Sequence, residues 1–218
     1  MKTRKAWLGV AALFLLTAIS ANAQQRFEVT PFVGYETTSS YPVSVFTNAG
    51  GTTVPVDRLR VNDSAAFGTF LDYSLTENAQ VEFMWNRNNT SYSAHDILTN
   101  SYFSAYHSDI DQYQFGMLYM FRSSDHRLRP YVAGSLGFTH DYNSNGNPDR
   151  TEFSYSLGGG VKYALSRHLA LRGDIRYLPT YGSSSPGTYC DPFFGCYTTK
   201  VSHYLNRASF VGGIVFKF

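Results

Sequence analysis

Eight ionisable residues sit at alternate positions within short apolar runs: Glu28, Asp72, Glu82 and Asp174, and against them Lys162, Arg172, Arg176 and Lys217. Two chemistries are open to such a set. Around a water-filled passage it makes an ion path or a gate. Packed together in a narrow enclosed space it makes a salt-bridged plug. A selective passage favours one sign of charge, and here four acids meet four bases. The equal count favours the plug.

Other residues could do chemistry but lack the arrangement for it. His140 and Ser144 lie in "HDYNSNG", a pair that hydrolases use, but the stretch is rich in turn formers and reads as a loop. His95, His107 and His203 also fall in loops, too scattered to make a metal site. No metal ligand set, cofactor motif or catalytic constellation is expected. Cys190 and Cys196, in "CDPFFGC", are an even pair close together and are expected to form a local disulfide if the chain is exported. Trp85, Tyr119, Tyr163 and Tyr177 could stack a sugar ring, although anchoring at a membrane interface is the plainer role.

The elements that must position these groups follow a period of two. The expected strands are Phe27 to Glu36, Ala65 to Leu75, Ala79 to Tyr92, Ile110 to Phe121, Arg129 to Thr139, Glu152 to Ala164, Leu169 to Leu178 and Tyr204 to Phe218. In the fourth, Tyr113, Phe115, Met117, Tyr119 and Phe121 share one face, and Gln112, Gln114 and Gly116 share the other. The sixth sets Phe153, Tyr155, Leu157, Val161 and Tyr163 against Ser154, Ser156, Gly158, Gly160 and Lys162. Pro31 interrupts the first strand, where a bulge or a missing ladder bond is expected.

Short connections alternate with long polar ones, roughly 37–64, 93–109, 140–151 and 179–203. Tight turns at one end and long loops at the other are the habit of an up-and-down barrel in an outer membrane. One face of each strand is apolar and aromatic, as lipid requires. The other is Gly, Ser, Gln and charge, as a narrow interior filled by side chains requires. The expected fold is therefore all-β, an eight-stranded antiparallel up-and-down transmembrane β-barrel.

The N-terminus supports export. Lys2, Arg4 and Lys5 precede the apolar stretch "AWLGVAALFLLTAI", and the small residues "ANA" follow. This order reads as a cleaved signal peptide over residues 1–23, with the barrel domain over 24–218. The full chain carries 18 Lys+Arg against 16 Asp+Glu. Three of the bases belong to the signal, so the remainder is slightly acidic, with no basic cluster for nucleic acid.

"FEVTPFVGY", "RPYVAGSLGF", "LGGGVKYALSRHLALRGDIRY" and the terminal "FVGGIVFKF" resemble the small outer-membrane β-barrel proteins of the OmpA/OmpX-like kind, a porin-family barrel domain. The resemblance covers essentially the whole chain after the signal. It implies that Phe210, Ile214, Phe216 and Phe218 form the signal read by the barrel-assembly machinery. It also implies outer-membrane lipids as partners and the bacterial outer membrane as location. The chain ends at the barrel, so cell-wall anchoring through an added domain is not expected. Outer-membrane lipid A deacylases are small barrels too, but their His and Ser lie closer together on a lipid-facing strand. The expected function is a non-enzymatic barrel whose long loops serve surface interaction or envelope integrity, with no loop partner legible. A narrow channel for ions or small solutes is the alternative.

Overall fold

The computed structural model describes residues 26–42, 46–47, 53–54, 56–96, 100–143, 149–181, 188–191, 195–198 and 205–218. The signal segment 1–23, Ser144 and His203 lie outside them. Eight long strands form the body: β1 (Phe27–Thr38), β2 (Ser64–Ser74), β3 (Ala79–Asp96), β4 (Ser101–Met120), β5 (Leu128–Asn143), β6 (Arg150–Ala164), β7 (Leu169–Tyr177) and β8 (Arg207–Lys217). Each pairs antiparallel with its sequence neighbours, and β1 pairs with β8, so the sheet closes into a barrel. Closure satisfies every edge, which is what a sheet surrounded by hydrocarbon requires.

The seam between β1 and β8 runs to the last residue. Phe218 N donates to Phe27 O at 2.9 Å, and Glu28 faces Lys217. Pairing lapses at Thr30 and Pro31 and resumes at Phe32↔Gly213 in the same register. Pro31, which has no N–H to donate, therefore costs ladder contacts without inserting a bulge. On its other side β1 stays paired to β2 through Pro31↔Thr69.

Alternation sorts the two faces. Val33, Phe115, Leu136, Leu157, Ile175 and Phe210 are among the large apolar side chains exposed on the outside. The inward face is buried and largely polar. Small residues there give large ones their space. A Cβ on Gly68 would meet the Phe32 ring at 2.7 Å, and one on Gly160 would meet the Tyr131 hydroxyl at 2.7 Å.

The long-loop end departs from the sequence expectation. Stretches 37–64 and 93–109 were expected as loops, yet β3 and β4 run to 18 and 20 residues. A tilted membrane strand needs only about 9–11. Beyond the barrel they continue as a hairpin with one bulge, where Tyr92 faces Tyr106 but Ser93 faces Ser104. Val56–Val61 adds to the β3 edge, and Ser40–Pro42 adds to Val56–Val61. The pairing extends past the point where alternating apolar residues stop announcing it.

Candidate functional site

The inward charges come from strands on opposite walls and meet in the short-turn half of the lumen. Lys162 on β6 donates to Glu28 Oε2 at 2.6 Å, Asp72 Oδ2 at 2.8 Å and Gln80 Oε1 at 2.8 Å. Arg172 on β7 reaches Asp72 Oδ2 at 3.1 Å, Glu82 Oε2 at 2.5 Å and Asp174 Oδ2 at 2.9 Å. Arg176 contacts Glu82 Oε1 at 2.6 Å and Asp174 Oδ1 at 2.8 Å. Lys217 stands at the rim, 3.9 Å from Glu28. One connected network thus holds all eight residues.

Three of its members carry no formal charge and were not singled out from sequence. Tyr131 on β5 donates to Asp174 Oδ2 at 2.5 Å and accepts from Arg172 Nε at 2.8 Å. The Phe70 ring lies 3.7 Å below the Arg172 guanidinium and 4.8 Å from that of Arg176. Gln80 supplies the third oxygen around Lys162. Cation–π stacking and bidentate pairing both suit arginine better than lysine. The strand parity that located Lys162 and Arg172 also marked Tyr131 and Phe70 as inward. Equal depth along opposite strands points from Glu82 to Arg172 and Arg176, but nothing in the sequence tells which uncharged inward side chains reach them.

An apolar layer lies beside this network. Phe32, Phe70, Met84 and Leu178 pack together, with Val211 against them, and the Phe32 and Phe70 rings are 4.6 Å apart. Leu118, Met120, Tyr131 and Ala133 form a second apolar cluster on the β4–β5 wall. Charge and hydrocarbon together fill the lower cross-section.

Toward the long-loop end the lumen is polar and less completely paired. Glu36 accepts from Asn86 Nδ2 at 2.5 Å, and the same nitrogen lies 3.2 Å from Gln112 Oε1. Glu36 Oε2, Gln112 Nε2, and Arg207 Nε and Nη1 have no hydrogen-bond partner among the described residues. No ion pair joins Glu36 to a base among the described residues. Neither Glu36 nor Arg207 was singled out from sequence, although each shares strand parity with an assigned inward charge.

The remaining candidates do not converge. His140 Nδ1 is 2.6 Å from Thr151 Oγ1, and its ring meets Tyr142 edge-on at 4.3 Å. His95 Nε2 lies 3.2 Å from Asn100 Oδ1. No group of three metal-ligating residues occurs among the described residues. Tyr119, Tyr163 and Tyr177 are exposed on the outer wall, and Trp85 meets Phe67 edge-on at 6.2 Å, so the four do not form one stacking surface. Arg87 and Asp111 form an unforeseen bidentate pair, both bonds 2.7 Å, on the outer wall. Backbone pairing of Thr188–Asp191 with Gly195–Thr198 sets Cys190 opposite Cys196, while their side chains lie outside the described set. Phe210, Ile214, Phe216 and Phe218 all point outward and are exposed.

A closed barrel with this division of faces is matched by sequence. Residues 10–192 fit the family model of the outer membrane protein beta-barrel domain. The chain belongs to that family. Solved outer-membrane barrels share its fold at low identity. OprG from Pseudomonas aeruginosa is 13% identical, covering 88% of this chain and 96% of that one, with a TM-score of 0.59. Neisserial surface protein A is 13% identical over 88% and 97% of the two chains, with a TM-score of 0.53. AlkL, solved in DMPC bilayers, is 16% identical over 91% and 93%, with a TM-score of 0.52. No curated protein matches the chain in sequence. These likenesses establish the barrel. What this outer-membrane barrel does must be argued from its own residues.

Proposed function

We infer that this outer-membrane barrel is sealed and non-enzymatic. Its body contributes to envelope integrity, and its projecting β-structure and long loops meet surface partners. One observation carries the reading: the network from Lys162 through Asp72, Arg172, Glu82 and Arg176 to Asp174 crosses the lumen with every charge neutralised. Side chains fill an eight-stranded interior in this way when it holds no aqueous channel. Export through the signal segment and recognition of Phe218 and its alternating neighbours by the assembly machinery belong to the same reading.

Planar-bilayer recordings on the folded barrel test it, run beside a deletion strain scored for permeability and surface binding. The expected results are no unitary conductance, and a leakier or less adherent cell. Regular conductance steps from the unaltered protein would replace the sealed barrel by the narrow channel. An altered lipid A mass in the deletion strain would replace it by an enzyme.

A further inference from the structure

The lipid-facing wall is not evenly covered. Gly134 on β5 points outward and stands directly opposite Met117 on β4 and Leu157 on β6. Where these two present long apolar side chains, Gly134 presents none. The result is a groove of about 380 Å³, walled by Met117, Tyr119, Val132 and Leu157 and almost wholly apolar. Its size is that of a small-ligand pocket. The barrel does not need the missing side chain: a Cβ on Gly134 would meet only ordinary contacts, the nearest being Leu157 Cδ2 at 3.5 Å.

The groove's position within the membrane follows from the strands that build it. Tyr119 and Val132 are paired near the lower end of β4 and β5, just above the turn that joins them. That turn is "RSSDHRL", and Arg122 and Arg127 are exposed in it. Its single acid, Asp125, lies 2.9 Å from His126. Short turns of outer-membrane barrels face the periplasm, so the groove lies toward the inner leaflet, and along the chain the two exposed arginines follow its lower end within the turn. Guanidinium binds phosphate oxygens bidentately.

We propose that this wall seats one anionic phospholipid of the periplasmic leaflet, an acyl chain lying over Gly134 and the phosphate held by Arg122 and Arg127. The groove is continuous with the lipid-facing surface, and the positive charge lies where a headgroup would be. Neither half alone selects a lipid: hydrocarbon fills any apolar groove, and exposed arginines meet any anion. Together they favour a molecule with both parts at this spacing. The proposal rests on the membrane reading of the barrel.

Native mass spectrometry of the folded barrel, with phosphatidylglycerol and phosphatidylethanolamine added in parallel, tests it. One phosphatidylglycerol should be retained per barrel, with about tenfold preference over the zwitterionic lipid. Gly134→Leu should abolish retention by filling the groove. Arg122→Gln with Arg127→Gln should remove the preference and leave weak binding of both lipids. Gly212→Leu is the control, since Gly212 also faces outward with nothing within 4 Å of a Cβ, on a different wall; it should retain lipid as the unaltered protein does. Equal retention of the two lipids, or retention in Gly134→Leu, overturns the proposal. So does a protein dimer that Gly134→Leu dissolves, which would give the groove to a second copy. Heat-dependent gel mobility of each variant reports separately whether the barrel has formed, so a failure of the membrane reading is distinguishable.

Discussion

The two halves of the lumen solve the same problem differently. Near the short turns, each carboxylate has a cation close by, and Arg172 alone touches three of them. Toward the long loops, Glu36 and Arg207 are equally buried but form no ion pair among the described residues, and three of their polar atoms lack a hydrogen-bond partner there, against Asp72 Oδ1 and Arg176 Nη1 in the lower network. Burying charge is costly unless each ion is matched in contact and hydrogen bonding. The lower half is built as a matched network around an aromatic support, and damage to one member strands the others. The upper half has little to lose.

The largest effect is therefore expected at Glu82. Glu82→Ala takes from Arg172 and Arg176 the carboxylate they share and leaves them on Asp72 and Asp174 with one buried positive charge in excess, a change worth roughly 3–5 kcal/mol when burial is complete. Unfolding of the variant in detergent should begin at clearly lower temperature or denaturant, or a conductance should open in bilayers. Glu82→Ala combined with Arg172→Ala should recover part of the loss. Strict additivity would show that the two side chains do not act as a unit.

Next comes the seam that encloses the lower network. Phe27 and Phe218 exchange backbone bonds at the barrel rim, and the Phe218 ring is exposed to the outside. Phe218→Asp places a charge on the lipid face and disturbs the expected assembly signal. The same change at Lys217 alters a rim-facing interior position. Membrane yield, read by heat-modified gel mobility, should fall far more for Phe218→Asp. Equal yields would mean that the division of faces does not govern assembly.

Glu36→Gln tests the other side of the comparison. The substitution keeps the shape and the acceptor oxygen that Asn86 uses while removing a buried charge that forms no ion pair among the described residues. Stability should change by no more than about 1 kcal/mol, or rise. A loss as large as that at Glu82 would show that Glu36 and Arg207 are coupled as tightly as the lower pairs.

Much of this contrast was legible in the sequence, and the illegible part has a physical reason. Strand parity assigned Glu28, Asp72, Glu82, Lys162, Arg172, Asp174 and Arg176 to one interior, because lipid on one side enforces alternation. Equal distance from the short turns brought Glu82 and Arg172 to one depth on opposite walls. Outside the membrane that enforcement ends. The outer parts of β3 and β4 show no apolar–polar alternation, so the sequence offered loops where the chain forms paired strands. The stacking of Phe70 on Arg172 and the hydroxyl bridge from Tyr131 depend on which inward side chains reach across the lumen. Parity carries no information about reach.

The smallest effect on either half should come from the cysteines. Cys190 and Cys196 face each other across a short hairpin pairing that is a separate two-stranded sheet from the barrel. In an oxidising compartment a pair so placed is expected to close as a disulfide. Its closed loop is short, and short loops give the unfolded chain least to lose on cross-linking. Alkylation should label both thiols only after reduction, with no change in the unfolding midpoint of the barrel body. Labelling without reduction would exclude the bond. A lowered midpoint after reduction would be more informative, because it would tie the outer hairpin to the lumen and end the independence of the two regions.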